Sequence, residues 1–173
     1  ALFAAVCEPQ PNLLMRNEEN REFEHLTGTN AEDHGIGRGL AVGDLNGDGC
    51  LDLYIVNQNS PSRLLLNRCD ELGNSISLEL QGVVSNRDAV GATVVVEAGG
   101  EVQTKFVTAG STSVHSSQPF AVHVGLGQTT LIDRLTVIWP TGLEESFEAI
   151  EVGEHGVLVY TIREGDPGSP FVR

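Results

Sequence analysis

Lysine and arginine are scarce in this chain: 10 of them stand against 24 Asp and Glu in 173 residues, a formal net charge of −14. That balance argues against nucleic acid and anionic membrane surfaces as partners, because both would be repelled. An acidic surface instead attracts divalent cations and basic patches on other proteins. Long apolar runs are missing too. None approaches the stretch of about 20 residues that a membrane-spanning helix needs, so no membrane insertion is expected. The apolar start, residues 1–6, is too short for a secretory signal and lacks a basic segment. The chain is therefore expected to be mature, processed or excised. Cysteine is sparse: Cys7, Cys50 and Cys69 form no CxxC pair, and their odd number leaves at least one unpaired within the chain. Glycosylation acceptors are absent, since Asn59-Ser60-Pro61 has no hydroxyl in the third place.

Strand signal is what the chain has in plenty. Segments 53–56, 75–80, 90–96, 102–107, 121–126, 135–139 and 157–162 are apolar and rich in β-branched residues, and Gly, Pro, Asn or Asp clusters separate them. Gly99-Gly100 lies between two of them and predicts a compact hairpin turn. Trp139-Pro140-Thr141-Gly142 puts Pro and Gly where a β-turn requires them. Residues 12–25 are charged and unpunctuated, but their helical periodicity is weak. The expected class is all-β. With apolar residues at 40% and charged ones at only 20%, composition does not predict disorder.

A shift of 50 residues lays 1–17 over 51–67, so that Val6 meets Val56, Pro11 meets Pro61, Leu14 meets Leu64 and Asn17 meets Asn67. A unit of that length belongs to propeller-like arrays, which need several units to bury a core; chance likeness of two hairpins is the alternative. Residues 1–70 are thus expected to be the end of a longer array that starts inside a blade, with upstream blades missing from this chain. A polar junction near 69–74 precedes a second domain over 71–165, and 166–173 reads as a tail.

The sharpest chemistry lies in Asp44-Leu45-Asn46-Gly47-Asp48-Gly49-Cys50-Leu51-Asp52. Asp44, Asn46, Asp48 and Asp52 take positions 1, 3, 5 and 9 of a loop, and Cys50 can offer its backbone carbonyl at position 7. Alternate oxygen donors suit a hard cation, and Gly49 at position 6 permits the sharp turn around it. Ca2+ is the expected ion, since Mg2+ demands octahedral geometry and keeps its waters. An EF-hand would carry a bidentate Glu at position 12, where Ile55 stands here, and helices rather than strands would flank it. The alternative to a metal site is a solvated Asp/Gly turn.

The segment from Gly37-Arg38-Gly39-Leu40-Ala41-Val42-Gly43-Asp44 through Asp52-Leu53-Tyr54-Ile55-Val56-Asn57 resembles an FG-GAP/VCBS repeat. Such repeats build blades of integrin-type propellers and hold calcium in this loop, which the resemblance extends to Asp44, Asn46, Asp48 and Asp52. Leu2 stands where Asp52 would align in the first repeat, so one calcium site is expected. From about Asn74 the chain resembles the ASPIC/UnbV domain that follows such repeats in secreted proteins. The motifs that carry this are Ser85-Asn86-Arg87-Asp88-Ala89-Val90-Gly91-Ala92, Val122-His123-Val124-Gly125-Leu126-Gly127 and Val137-Ile138-Trp139-Pro140-Thr141-Gly142. Val114-His115-Ser116-Ser117-Gln118 departs from the family pattern. The resemblance implies an extracellular calcium-binding architecture and little about chemistry.

Taken on its own residues, Trp139 reads as a core side chain. Asn86, Arg87 and Asp88 read either as a turn that bonds its own backbone or as a recognition patch. His123 alternates with Val122 and Val124 and is expected to face away from the core. His115 among Ser111, Ser113, Ser116 and Ser117, with Asp133 downstream, invites a Ser-His-Asp reading, yet no nucleophile elbow or other catalytic context accompanies it. No enzymatic activity is expected. If Val56 opposes Arg63 across a turn at 57–62, the same register sets Cys50 opposite Cys69, close enough for a disulfide; buried free thiols are the alternative.

The whole is a terminal propeller-type calcium blade followed by a β-sandwich-like domain, a scaffold that contacts other protein chains or extracellular matrix, secreted or periplasmic. An assembly subunit and a carbohydrate-binding or hydrolytic module remain as alternatives.

Overall fold

A computed structural model describes residues 11–18, 22–67, 73–110, 116, 118–152, 157–166, 168 and 170–172. Among them the structure is all-β, with no helix. The strands are β1 (Leu14–Asn17), β2 (Phe23–Leu26), β3 (Ile36–Gly43), β4 (Asp52–Gln58), β5 (Arg63–Leu65), β6 (Asn74–Gln81), β7 (Thr93–Ala98), β8 (Glu101–Phe106), β9 (Val122–Gly127), β10 (Leu131–Ile138), β11 (Glu144–Glu151), β12 (Val157–Arg163) and β13 (Phe171–Val172). They form four sheets, ordered β1-β2, β3-β4-β5, β11-β10-β7-β8 and β13-β12-β6-β9.

The two four-stranded sheets share one hydrophobic core and make the second half a sandwich. β6 shows how the sequence builds it. Ile76 and Leu78 are fully buried, while Ser75, Ser77 and Glu79 alternate with them toward the opposite face. Val94 and Val96 of β7, Val122 and Val124 of β9, Leu135 and Val137 of β10, and Ile162 of β12 complete the interior. Trp139 is 2% exposed among them, and its indole N–H donates to the carboxylate of Glu145.

Turn chemistry follows the residues that encode it. Gly99 and Gly100 take φ values of 60° and 83°, the pair of positive angles that joins β7 to β8 in a right-twisted hairpin. The Gly142 amide bonds the Trp139 carbonyl at 2.8 Å and closes the predicted turn. Residues 86–91 turn because the Asn86 side chain binds both backbone groups of Val90, accepting its N–H and donating to its carbonyl, each at 2.8 Å. That turn delays β7 to Thr93, three residues after the expected start at 90.

Residues 12–25, where helical periodicity is weak, supply most of a hairpin of β1 and β2, with Leu14 opposite Leu26 and Asn17 opposite Phe23. The structure corrects two expectations. Phe171 and Val172 pair with Thr161 and Tyr160, so the segment read as a tail adds a strand to a sheet. The register of β4 on β5 is one residue from the one expected, since Arg63 opposes Ile55 and not Val56. Pro61 has no amide to extend the ladder, and Asn59 takes φ 58°, so the connection closes as a loop instead of continuing the strands. The cross-strand argument that set Cys50 opposite Cys69 therefore fails. Cys7 and Cys69 themselves lie outside the described residues, as does the upstream part of the repeat, 1–10.

Candidate metal site

Residues 44–51 connect β3 to β4, and the ladder Gly43↔Asp52 closes the loop at its base. Within it the side-chain oxygens bind backbone amides. Asp44 Oδ1 accepts from Gly47 at 2.7 Å and Asp48 at 3.2 Å, and its Oδ2 accepts from Gly49 at 3.0 Å. Asn46 Oδ1 accepts from the Asp48 amide at 3.1 Å, and Asn46 Nδ2 donates to Asp48 Oδ2 at 2.7 Å. Asp48 Oδ1 accepts from the Cys50 amide at 2.9 Å. Gly47 and Gly49 take φ of 78° and 91°, which a side chain would disfavour, and this lets the chain wind around Asp44.

Asp52 differs from the others. It is fully buried, and its two oxygens accept from Leu45 at 2.9 Å and from Asn67 at 2.8 Å. One carboxylate thus ties the loop's second residue to the chain just beyond β5. Burying an ionised group is costly unless it is well bonded, and these two amides bond it.

The donor set fits a hard cation. It consists of carboxylate and amide oxygens with backbone carbonyls nearby, and each carboxylate oxygen that accepts one amide keeps a second lone pair. In the arrangement described, no three His, Cys, Asp or Glu side chains stand together as a preformed cluster among the described residues. Asp44, Asn46 and Asp48 lie in the loop and Asp52 at its base. Asp44 and Asn46 turn their oxygens to the loop's own amides, Asp48 to the Cys50 amide and the Asn46 side chain, and Asp52 divides its two between Leu45 and Asn67. Cys50 is half-buried at its end.

Two contacts that the spacing does not announce reach this loop from the sandwich. The Gly49 carbonyl accepts from Ser75 Oγ at 2.8 Å and lies 2.9 Å from His123 Nε2. His123 does face away from the core, as its alternation predicts, and that outward face carries the contact. A cleft of about 570 Å3 opens beside it, where Lys105 stands on the same border as Asp44. The alternation of Ser75, Ser77 and His123 with apolar neighbours was the available signal, but it marks a polar face without saying what meets it.

Of the residues in the Ser-His-Asp reading, Ser111, Ser113, His115 and Ser117 lie outside the described residues. Asp133 is exposed on β10, and Ser116 Oγ accepts the Leu40 amide at 3.1 Å, a link between blade and sandwich.

A second carboxylate escaped sequence reasoning. Glu164, 5% exposed, accepts at Oε2 from the amides of Val83, Val84 and Ser85, each at 2.7 Å. Its Oε1 accepts from Ser85 Oγ at 2.8 Å and Thr141 Oγ1 at 3.0 Å. Burial pushes its pKa up, but the amide and hydroxyl donors outweigh burial and bring it down to about 2. Glu164 thereby holds the 83–85 bend, which leads into the Ser85–Ala92 motif, and the 139–142 turn to the end of β12.

Comparison with protein families decides the affiliation. The family model for ASPIC and UnbV matches residues 82–168, just over half of the chain. The chain belongs to the ASPIC and UnbV family. An FG-GAP repeat model matches residues 36–68, which include β3, the loop, β4 and β5. No curated protein matches the chain. In this ASPIC and UnbV chain the FG-GAP match holds the candidate loop, and the family match supplies His123, the Trp139 turn and Glu164. FG-GAP repeats typically occur in extracellular proteins. Among the described residues no helix is long and apolar enough to cross a membrane.

Proposed function

We propose that this chain is a non-enzymatic calcium-binding module that makes protein contacts in an extracellular or periplasmic setting. The observation that carries the reading is the 44–52 loop, where Asp44, Asn46 and Asp48 alternate in one tight turn and Asn46 meets Asp48 at 2.7 Å. Asp44, Asn46, Asp48, Asp52 and the Cys50 carbonyl would hold the ion. Bound Ca2+ would neutralise carboxylates that otherwise repel, and so stabilise the loop.

Protein contact is supported by the outer face of the blade sheet. Tyr54 pairs with Leu64, and the two are 41% and 52% exposed, with Val56 and Leu66 beside them in sequence alternation. Exposed apolar residues grouped on one sheet face mark a surface that another chain covers. The setting rests on the FG-GAP match. It also agrees with a disulfide, which we propose between Cys50 and Cys69. Cys50 is not a free thiol. Asn67, two residues before Cys69, reaches Asp52, two residues after Cys50, at 2.8 Å. Oxidising compartments are where such bonds persist.

Titration calorimetry of the full chain with Ca2+ and with Mg2+ tests the ion. One site of dissociation constant on the order of 10⁻⁴ to 10⁻³ M is expected for calcium, with weaker magnesium binding, and Asp48→Ala should abolish it. Absence of calcium heat in the wild type would retire the reading.

A further inference from the structure

The peptide unit between Gly49 and Cys50 is gripped at both ends. Its carbonyl accepts from Ser75 Oγ at 2.8 Å and from His123 Nε2 at 2.9 Å. Its N–H, on Cys50, donates to Asp48 Oδ1 at 2.9 Å. A carbonyl only accepts, so the His123 ring must carry a proton on Nε2. The peptide is planar, so fixing the carbonyl direction fixes the N–H direction opposite to it. What Ser75 and His123 do to one side of the plane is therefore delivered to the Asp48 carboxylate on the other.

The donors themselves are rigidly placed. Ser75 lies on β6 and is 8% exposed. His123 lies on β9 opposite Ser77, two pairs from the Ser75↔Gly125 pair and on the same face, while Ile76, Val122 and Val124 pack into the core behind them. Two adjacent, core-backed strands of one domain thus present two donors to one carbonyl of the other. Both belong to the sandwich, and neither is part of the nine-residue donor pattern.

We propose that His123 and Ser75 are positioning residues of the calcium loop, which act through the Gly49–Cys50 peptide on Asp48. The inference rests on the calcium reading above. Asp48 occupies position 5 of the loop, and a carboxylate pre-aimed by a fixed amide loses less freedom when it takes up an ion. Linkage makes the effect reciprocal. If docking on the sandwich raises calcium affinity, calcium strengthens that docking by the same factor. The loop then serves as the joint of the two domains, and the ion tightens the joint.

The test compares wild-type full chain with His123→Ala, His123→Gln and Ser75→Ala by calcium titration, and follows hydrogen exchange at the Cys50 amide in chelator. His123→Ala should weaken calcium binding by about three- to tenfold, the loss of one partly buried hydrogen bond, and should speed exchange at Cys50. His123→Gln, which keeps an N–H donor at similar reach, should recover most of the affinity. A residue that merely supports the sandwich would lower the melting temperature and leave calcium affinity alone. Wild-type binding that persists unchanged in His123→Ala overturns the positioning role and leaves the calcium reading intact. No calcium binding by the wild type overturns both.

Discussion

The ring of His123 and the backbone carbonyl of Gly49, 74 residues apart in sequence, meet at 2.9 Å. This contact joins the loop of the FG-GAP repeat to the outer face of the ASPIC and UnbV sandwich. It makes the polar side of β6 and β9 an internal surface, although strand alternation alone would leave it to solvent. Ser75, on the same face, is buried for that reason.

Asp52 should prove structural before it proves a ligand. Its two oxygens, fully buried, bind the Leu45 and Asn67 amides, so Asp52→Ala leaves two donors without their partner. Unfolding by urea in chelator should show a loss of about 2 to 4 kcal/mol, with no calcium needed to see it. Asp52→Asn, which keeps one acceptor oxygen, should lose less. Wild-type stability for Asp52→Ala in chelator would contradict the arrangement.

Removing the Glu164 carboxylate should unfasten two motifs at once. Glu164→Ala strands three amides and two hydroxyls, and a loss of about 2 to 4 kcal/mol is expected in urea unfolding. Glu164→Gln should fall between, because an amide offers one acceptor oxygen where the carboxylate has two. Exchange at the Val83, Val84 and Ser85 amides should rise in both variants.

The same carboxylate gives stability a direction with pH. Its pKa is lowered in the folded chain from 4.5 to about 2, so the folded state binds its proton more weakly than the unfolded state does. The stabilisation is therefore fully present above pH 4.5 and lost as pH falls toward 2. Urea midpoints measured from pH 6 down to about 2 should decline through that window, and Glu164→Gln should flatten the decline. An unchanged slope in the variant would show that other carboxylates govern acid unfolding.

Much of the fold was legible because local chemistry and tertiary structure agree. Alternation in 75–80 and 121–126 gave two core strands, Gly99-Gly100 gave a hairpin, and Trp139-Pro140-Thr141-Gly142 gave a turn. β11 was not legible. Its Glu-rich run reads as solvated surface, yet Ile132 faces Ile150 and Leu135 faces Phe147 across the ladder, so pairing to β10 decides its structure. β3 was expected only as a flank of the loop, and its bounds were not legible, because its glycines break the strand pattern although its ladder to β4 is long. In the candidate site the donor spacing was readable, because all of it lies within nine residues. The contacts from Ser75 and His123, and the role of Glu164, depend on residues brought together by topology, which spacing does not encode.

The proposed disulfide has a direct chemical test. Peptide mapping of native, unreduced protein should recover Cys50 linked to Cys69, with Cys7 open to alkylation or joined elsewhere. Free thiols at both Cys50 and Cys69 would contradict the pairing, as would a Cys7–Cys50 peptide.

The calcium loop is the centre of this account, and a thermal melt of the full chain tests it most directly. The melt would be run in chelator, in 10 mM Mg2+ and in 10 mM Ca2+, beside Asp48→Ala. With a dissociation constant on the order of 10⁻⁴ to 10⁻³ M, that calcium level adds about 1.4 to 2.7 kcal/mol, a rise of about 3 to 10 °C in the midpoint. The account predicts that rise with calcium, little with magnesium, and none in Asp48→Ala. An identical midpoint in all three conditions for the wild type would contradict it.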